Sequence, residues 1–365
     1  MPSLVGGGAE NALIKFLKAF DYDSYQVSLL LVSYNGPYIK QVPKEVKLLY
    51  LFKNHSLVKL LAYLQKKHSW SLLLTRAFKK TVKEDFDTAV SFLDSNFTDL
   101  LFLLNSNTKK ITWVHSSYVS NKNFNKFYQE KSYLKKVVEN RYKKLDTIVF
   151  VSNDAKKEFI EVMGRFDDMR VLYNLFDEDE LRQKANEKLP TKECFTFIAV
   201  GSLIPVKGYD LLIDAAKILS KQGYSFKVKI VGNGHQENEL KSKVNRLKLN
   251  NHIDFVGYVS NPYAYMNRAD VFVMTSVSEA LPSALIEAII LGKPILITNT
   301  AGCREVIEYG KYGMMTERTP EAFAEKMMEY IDDPNLKFEY AKRSLDKAQA
   351  FSKENILSQF FQIID

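Results

Sequence analysis

The chain has 365 residues, 46% hydrophobic and 26% charged, with a net charge of +8. At roughly 100–200 residues per domain this length points to two domains, and the composition excludes wholesale disorder. Two cysteines, Cys194 and Cys303, exclude a disulfide framework and a four-thiolate zinc site, and they fit a reducing cytoplasm. No apolar run reaches the ~18 residues of a spanning helix. The start, Pro2–Glu10, lacks the basic-then-apolar pattern of a signal peptide. A cytoplasmic protein is therefore expected. The charge is uneven: residues 1–175 hold 27 Lys+Arg and 17 Asp+Glu, net +10, whereas residues 176–365 hold 24 and 26, net −2. Phosphorylated substrates, an anionic membrane surface and nucleic acid all suit such a basic half.

In chain order, Ala9–Phe20 carries Leu13, Phe16, Leu17 and Phe20 at helical spacing, and Tyr25–Val32 is a strand-like run. Ser56–Lys80 reads as helix, Thr88–Leu93 and Ile111–His115 as strands, and Phe127–Lys144 as a basic helix. Thr147–Val151 and Asp154–Met163 repeat the strand–helix alternation. The polar stretch 175–193 reads as a linker. The pattern then restarts with strands at Phe195–Gly201, Phe226–Val231, Val271–Thr275 and Pro294–Thr298. Helices are expected at Tyr209–Lys221, Gln236–Leu247 and Ser283–Leu291, and Pro320–Ile364 reads as almost wholly helical. Repeated βα units predict mostly parallel sheets flanked by helices, with ligands at the carboxyl ends of the strands. One feature conflicts with this. Met1 lies only five residues before Gly6-Gly7-Gly8, which leaves no room for the strand that normally feeds a first glycine loop.

The segment with most chemical content is Glu279-Ala280-Leu281-Pro282-Ser283-Ala284, followed by Glu287. Pro282 suits the first position of a helix. Free N–H groups at Ser283 and Ala284, aided by the helix dipole, would hold a phosphate. Glu287, four residues after Ser283, shares its face and could reach a ribose diol, and Glu279 could accept from sugar hydroxyls. Two solvated glutamates on an ordinary loop and helix are the alternative. Gly232 and Gly234 fail the dinucleotide fingerprint because Glu237 occupies its third glycine position. Gly7 and Gly8 would admit backbone N–H groups close to a phosphate or an attacking hydroxyl, unless they are a plain turn. Three Asp-x-Asp triplets, Asp21–Asp23, Asp85–Asp87 and Asp177–Asp179, read as solvated turns. No essential metal is expected, and no Cys/His cluster offers a zinc site. The basic surplus gathers in Lys53–Lys83 and Lys122–Lys144, interleaved with apolar and aromatic residues, as helices on a membrane surface would have it.

Glu279-x7-Glu287 resembles the signature of retaining B-type (GT-B) glycosyltransferases of family 4 (group 1). Val200–Gly208 resembles that family's loop with a phosphate-binding lysine, here Lys207. Val231–Gly234, Phe255–Tyr258, Gly6–Glu10 and Trp113–Ser116 resemble further segments in the family's order. The resemblance implies an α/β fold of two Rossmann-like domains across a cleft. Residues 1–174 would bind the acceptor, 175–193 would link, 194–349 would bind a nucleotide sugar, and the last helix, about 350–365, would return to the first domain. It also implies a hexosyltransferase of cell-surface polysaccharide or lipid-linked glycan synthesis, using a UDP-sugar and no other cofactor. His115, Glu279 and Lys207 would be catalytic. Gly7, Gly8, Ser202, Gly232, Gly234, Tyr258 and Glu279–Ala284 with Glu287 would hold the donor. The family often has arginine where this chain has Ser202, and glycine where it has Ala280. Those departures motivate a rival, a nucleotide-sugar-binding protein without activity. Nucleic acid is not expected as a partner, for no motif supports it. A phosphorylase would need a cofactor lysine that no segment supplies.

Overall fold

The computed structural model describes residues 1–53, 72–116, 118, 131–189, 192 and 194–365. The chain forms two compact units, Met1–Leu175 with Ile356–Asp365, and Phe176–Asn355.

The first unit holds strands β1 (Ser28–Ser33), β2 (Lys47–Phe52), β3 (Thr88–Ser91), β4 (Lys109–Val114), β5 (Thr147–Phe150) and β6 (Met169–Val171). β1 and β2 pair in parallel, and β3–β4–β5–β6 form a second parallel sheet. Sequence inspection had left no room for a first strand. The structure corrects this, because residues 1–4 run beside β1: the Met1 amine donates to the Leu30 carbonyl (3.0 Å), and Val32 N–H donates to Met1 O (3.0 Å). This is the bond pattern of a parallel pair. It stays short because Pro2 has no N–H to donate, although Ser33 N–H still donates to its carbonyl (2.9 Å).

The helix Gly8–Lys18 buries Leu13, Phe16 and Leu17. Phe16 meets Phe92, Trp113 and Phe360 at ring-centroid distances of 5.9, 5.2 and 4.9 Å. Phe360 belongs to the terminal helix Lys353–Ile364, whose residues from Ile356 pack in this unit. Thr88 donates to the Ile364 carbonyl (2.7 Å), and Tyr25 stacks on Phe361 and donates to Asp365 (2.8 Å). The expected long helices at Ser56–Lys80 and Phe127–Lys144 are described only over Leu72–Thr81 and Lys131–Asn140. Residues 54–71 and 119–130 lie outside the described residues.

The second unit holds β7 (Phe195–Val200), β8 (Phe226–Val231), β9 (Ile253–Gly257), β10 (Val271–Met274), β11 (Ile295–Thr298) and β12 (Met314–Thr316). They form one all-parallel sheet in the order β12-β11-β10-β7-β8-β9. Both faces are covered, so the strands are largely apolar: Phe197, Ile198, Val228, Ile230, Val271, Phe272, Ile295 and Ile297 have no exposure, although β8 alternates them with half-buried Lys227 and Lys229. At the amino edge, buried Asp270 accepts from Thr196 N–H (2.9 Å), Lys337 (2.9 Å) and Lys192. Its burial pushes the carboxyl up, but these bonds more than offset that and hold it below the usual carboxylate range. The segment 175–193, expected as a linker, contains a helix, Glu178–Ala185, whose N-cap Asp177 accepts from Glu180 N–H (2.9 Å). That helix packs against the helix Pro262–Arg268. Only Leu181 and Ala185 of it are buried, so its apolar stripe is too thin for periodicity to reveal.

Candidate functional site

The strand order of the second sheet reverses between β7 and β10, where the chain departs toward opposite edges. Open parallel sheets hold ligands in the crevice outside that point. The loops that leave the two strands there are stitched together. Val277 N–H donates to Val206 O (2.7 Å), and the Thr275 hydroxyl donates to Lys207 O (3.2 Å). Thr300 donates to Ser276 O (2.6 Å) from the loop after β11. Lys207 ends a single 3-10 turn that starts at Pro205, and Gly208 then takes the left-handed conformation (φ 65°) to open the helix Tyr209–Lys221. A side chain at Gly208 would put its Cβ 2.2 Å from the Thr275 carbonyl, so only glycine permits this approach of the two loops.

That stitching brings Lys207 and Glu279 together. The lysine Nζ lies 2.5 Å from Glu279 Oε1, and the Ser276 hydroxyl donates to the same oxygen (2.7 Å). Both side chains keep a minority of their surface, 22% and 11%, so the pair is reachable yet largely desolvated. Tyr209 lines the same indentation with Ala199, Val200, Met274 and Thr275. Burial, and then the Glu279 charge, raises its phenol well above the usual value, and its hydroxyl donates to Gly201 O (3.1 Å).

The helix Ser283–Ile290 starts at the expected residue, with Pro282 at the N-cap rather than in the first helical position. Proline has no side-chain oxygen to cap the first turn, and no side chain caps it. The Ser283 and Ala284 N–H groups therefore point out of the helix as donors. Glu287 is on that helix, and its Oε1 accepts from the Tyr263 hydroxyl (3.3 Å). Burial and the Glu287 charge raise the Tyr263 phenol.

Other expected residues are placed differently. Ser202 is exposed just after β7, and its carbonyl accepts from Ile204 N–H (2.9 Å). Gly232 and Gly234 serve packing: a Cβ would fall 2.1 Å from Gly201 O and 2.3 Å from Leu203 O respectively. The β8 loop thus lies directly against the β7 loop, which explains both glycines without a nucleotide. Tyr258 is 75% exposed after β9, two strands from β7. Leu281 and Ala280 lie in the loop that carries Glu279, and the Glu279 and Ala280 carbonyls approach Gly302.

His115 and the glycine loop belong to the first unit. His115 follows β4, stacks on Trp113 (5.7 Å) and meets Phe92 at a tilt (5.1 Å). Its Nε2 is buried with no hydrogen-bond partner among the described residues. Burial holds the ring at a pKa of about 3, despite an opposing hydrogen bond to the Phe92 backbone. His115 is therefore neutral at physiological pH. Gly7 caps the helix Gly8–Lys18 in extended backbone (φ −177°). A Cβ there would fall 2.5 Å from the Glu10 carboxylate, so an acidic side chain already stands at this helix start. Two of the Asp triplets are a turn and a cap: Asp21 accepts from Asp23 N–H (3.1 Å), and Asp177 is the N-cap noted above.

One cation escaped the sequence reading. Arg318, exposed in the loop after β12, has Nη2 3.4 Å from where a Gly208 Cβ would lie. The helices that follow these two residues, Tyr209–Lys221 and Pro320–Asp332, pack side by side. Arg318 lies 111 positions from Lys207 in the chain, and no spacing rule links them. Among the described residues no three His, Cys, Asp or Glu converge as metal ligands, and no helix is long and apolar enough to cross a membrane.

Known proteins share this architecture. An Anabaena protein, HepE, solved in complex with UDP and glucose, superposes with a TM-score of 0.71 over 98% of this chain and 95% of its own, at 21% identity. An uncharacterized glycosyltransferase of Methanocaldococcus jannaschii is 27% identical over 96% of this chain and 94% of its own length. An N-acetylgalactosamine-N,N'-diacetylbacillosaminyl-diphospho-undecaprenol 4-alpha-N-acetylgalactosaminyltransferase of Campylobacter jejuni is 29% identical over 51% of this chain and 50% of its own. The model of "Glycosyltransferase Family 4" matches residues 6–180, and that of "Glycosyl transferases group 1" matches residues 179–348. With both units matched in tandem on a GT-B fold, the chain belongs to the group 1, family 4 glycosyltransferases.

Proposed function

We propose that the protein transfers a hexosyl group, with retention at the anomeric carbon, from a UDP-sugar to a hydroxyl of a lipid-linked glycan in cell-surface polysaccharide synthesis. The observation that carries this reading is the Lys207–Glu279 pair beside the uncapped start of the Ser283 helix, at the reversal point of a parallel sheet. A diphosphate arriving there meets outward N–H groups, the positive end of a helix dipole and a lysine. It also meets Glu279 and Glu287, so Lys207 alone does not balance the charge. Arg318 supplies the second cation that Ser202 does not. Lys207 would exchange its partner, leaving Glu279 for the diphosphate and freeing that carboxylate to accept from sugar hydroxyls. Glu287 would take the ribose diol. Negative charge grows on the departing nucleotide diphosphate as the sugar–oxygen bond breaks, and Lys207, Arg318 and the helix N–H groups stabilise it. No carboxylate nucleophile and no metal is assigned. Neutral His115 offers hydrogen bonding without charge on the acceptor side of the reaction. UDP and the lipid-linked acceptor are supported by the HepE complex and the Campylobacter relative. A peripheral position on the inner face of a membrane agrees with the +10 surplus of residues 1–175.

The test is a thermal-shift panel of UDP-, GDP- and ADP-sugars. A ligand at 100 times its Kd stabilises by about 2.7 kcal/mol. A shift with UDP-sugars, lost in Glu287→Ala, is expected. No shift with any member would overturn the donor assignment. Transfer abolished by chelator and restored by manganese would overturn the metal-free mechanism.

A further inference from the structure

The carboxyl edge of the first unit carries a second candidate site. The stub at residues 1–4 ends there with Leu4 N–H donating to Asn35 O (2.9 Å), and Tyr38 N–H returns to Leu4 O (3.4 Å). The glycine loop and the loop after β1 therefore leave the sheet side by side. Tyr34, the first residue of the latter, is tied across to the end of β2 through Phe52 O (2.9 Å). Its ring lies 5.1 Å from that of Tyr50 on β2, with the planes tilted by 57°. Both rings are open, at 43% and 36% exposure, and Val5 of the glycine loop is 47% exposed. Lys53 sits over the Tyr50 ring at 5.9 Å.

Neither tyrosine belongs to the unit's buried core. Large rings left open at a ligand-bearing edge cost solvation that the fold does not recover, and a tyrosine suits a surface that is apolar on its face and polar at its tip. A pyranose has the matching chemistry: axial C–H groups on one face that stack on an aromatic ring, and equatorial hydroxyls around its rim. Two rings at 57° form a shallow V that receives one such face. The phenol hydroxyls and the Lys53 ammonium border it as hydrogen-bond donors. A membrane or a protein partner would call for a broad apolar patch, whereas two tyrosine rings and Val5 are the exposed large apolar side chains at this edge among the described residues.

We infer that Tyr34 and Tyr50 form a stacking platform for a pyranose ring, with Lys53 donating to its hydroxyls. That the ring belongs to the acceptor glycan rests on the glycosyltransfer reading above. The platform itself does not, because its residues are separate from the donor residues of the second unit.

Saturation-transfer difference NMR tests it with the methyl glycosides of glucose, galactose, N-acetylglucosamine and N-acetylgalactosamine as probes. The wild-type chain should saturate the ring C–H protons of at least one of them. The Tyr34→Ala/Tyr50→Ala variant should lose at least about four-fifths of that signal, and Tyr34→Phe/Tyr50→Phe should keep most of it, because the face and not the hydroxyl makes the stack. Melting temperatures of the variants should match the wild type, since both rings are exposed. Absence of transfer to every probe, or equal transfer in the alanine variant, overturns the platform. UDP binding, measured on the same samples, separates the two ideas. Its absence in the wild type sinks the donor reading and leaves the platform standing, and its persistence alongside a silent sugar signal does the reverse.

Discussion

The two units solve the same structural problem with different completeness. The second closes a single six-stranded parallel sheet, and Thr298 and Thr300 both bond Ser276 O across the loops of its ligand edge. The first divides into a pair and a quartet of strands, begins with a stub beside β1, and leaves Ser33 Oγ, Asp94 Oδ1 and His115 Nε2 buried without partners among the described residues. Their charges differ in the same sense, with +10 in residues 1–175 and −2 in 176–365. The difference teaches where a donor and an acceptor make their demands. A nucleotide diphosphate is chemically constant, so on the proposed reading a rigid edge with one lysine, one arginine and helix N–H groups would serve it, even on a slightly acidic domain. Acceptors vary, and on the proposed reading the half assigned to them is the one that carries the basic surplus.

The strongest way to break this contrast is at Asp270, which holds three partners at the amino edge of the second sheet. Asp270→Ala leaves Thr196 N–H and two lysines without their acceptor, and should cost about 3 kcal/mol of stability. Calorimetry should show the second unit melting earlier and the first unmoved. Because the Asp270 carboxyl is depressed in the folded state, its contribution is present above the unfolded pKa and is lost as pH falls through the folded value. Next in size, Lys207→Ala should reduce turnover by about a hundredfold, equivalent to ~2.7 kcal/mol of transition-state stabilisation. Wild-type kinetics in that variant would remove the donor site from this edge. Arg318→Ala should weaken UDP binding by about tenfold, ~1.4 kcal/mol, and leave binding of uridine unchanged. Arg318→Lys should restore part of the loss. Equal effects on uridine and UDP would mean that Arg318 does not touch phosphate.

A further effect concerns pH and the first unit. His115 titrates at about 3 when folded and near 6.5 when unfolded. The unfolded chain therefore binds more protons between these values, and stability should fall as pH drops through that window. Asp94, raised by burial beneath Tyr118 and Tyr142, acts in the opposite sense: its unfolded form gives up its proton first as pH rises. His115→Gln should flatten the decline between about pH 6 and pH 4, measured by melting temperature. An unchanged slope would show that His115 is solvated rather than buried.

In each unit four of the six strands were legible in the amino-acid sequence and two were not, for a physical reason. Strands covered on both faces are mostly apolar, so β7, β10 and β11 stand out as apolar runs, and β8 shows as an alternation of Lys227 and Lys229 with buried Phe226, Val228 and Ile230. β2, β6, β9 and β12 are edge or short strands with mixed exposure, and β6 and β12 have only three residues each. The helix Glu178–Ala185 passed for a linker because it buries two residues of eight. At the site, Glu279, Ser283 and Glu287 are near neighbours in the chain, and their spacing revealed them. Gly232 and Gly234 stood out by their spacing, but the Gly201–Leu203 loop that crowds them is distant in the chain and was not legible there.

What the sequence determined by itself was local: the βα alternation, the apolar strands, the helix with a free first turn, the charge imbalance and the family. Those features depend on residues within one element or on sums over many. Only the tertiary structure decided which distant groups meet. It brought Lys207 onto Glu279 and set Arg318 beside Gly208. It also placed the Tyr34 ring against Tyr50 and returned the last helix to the first core. Each of these contacts depends on strand order and loop closure, and neither is written in the spacing of residues along the chain.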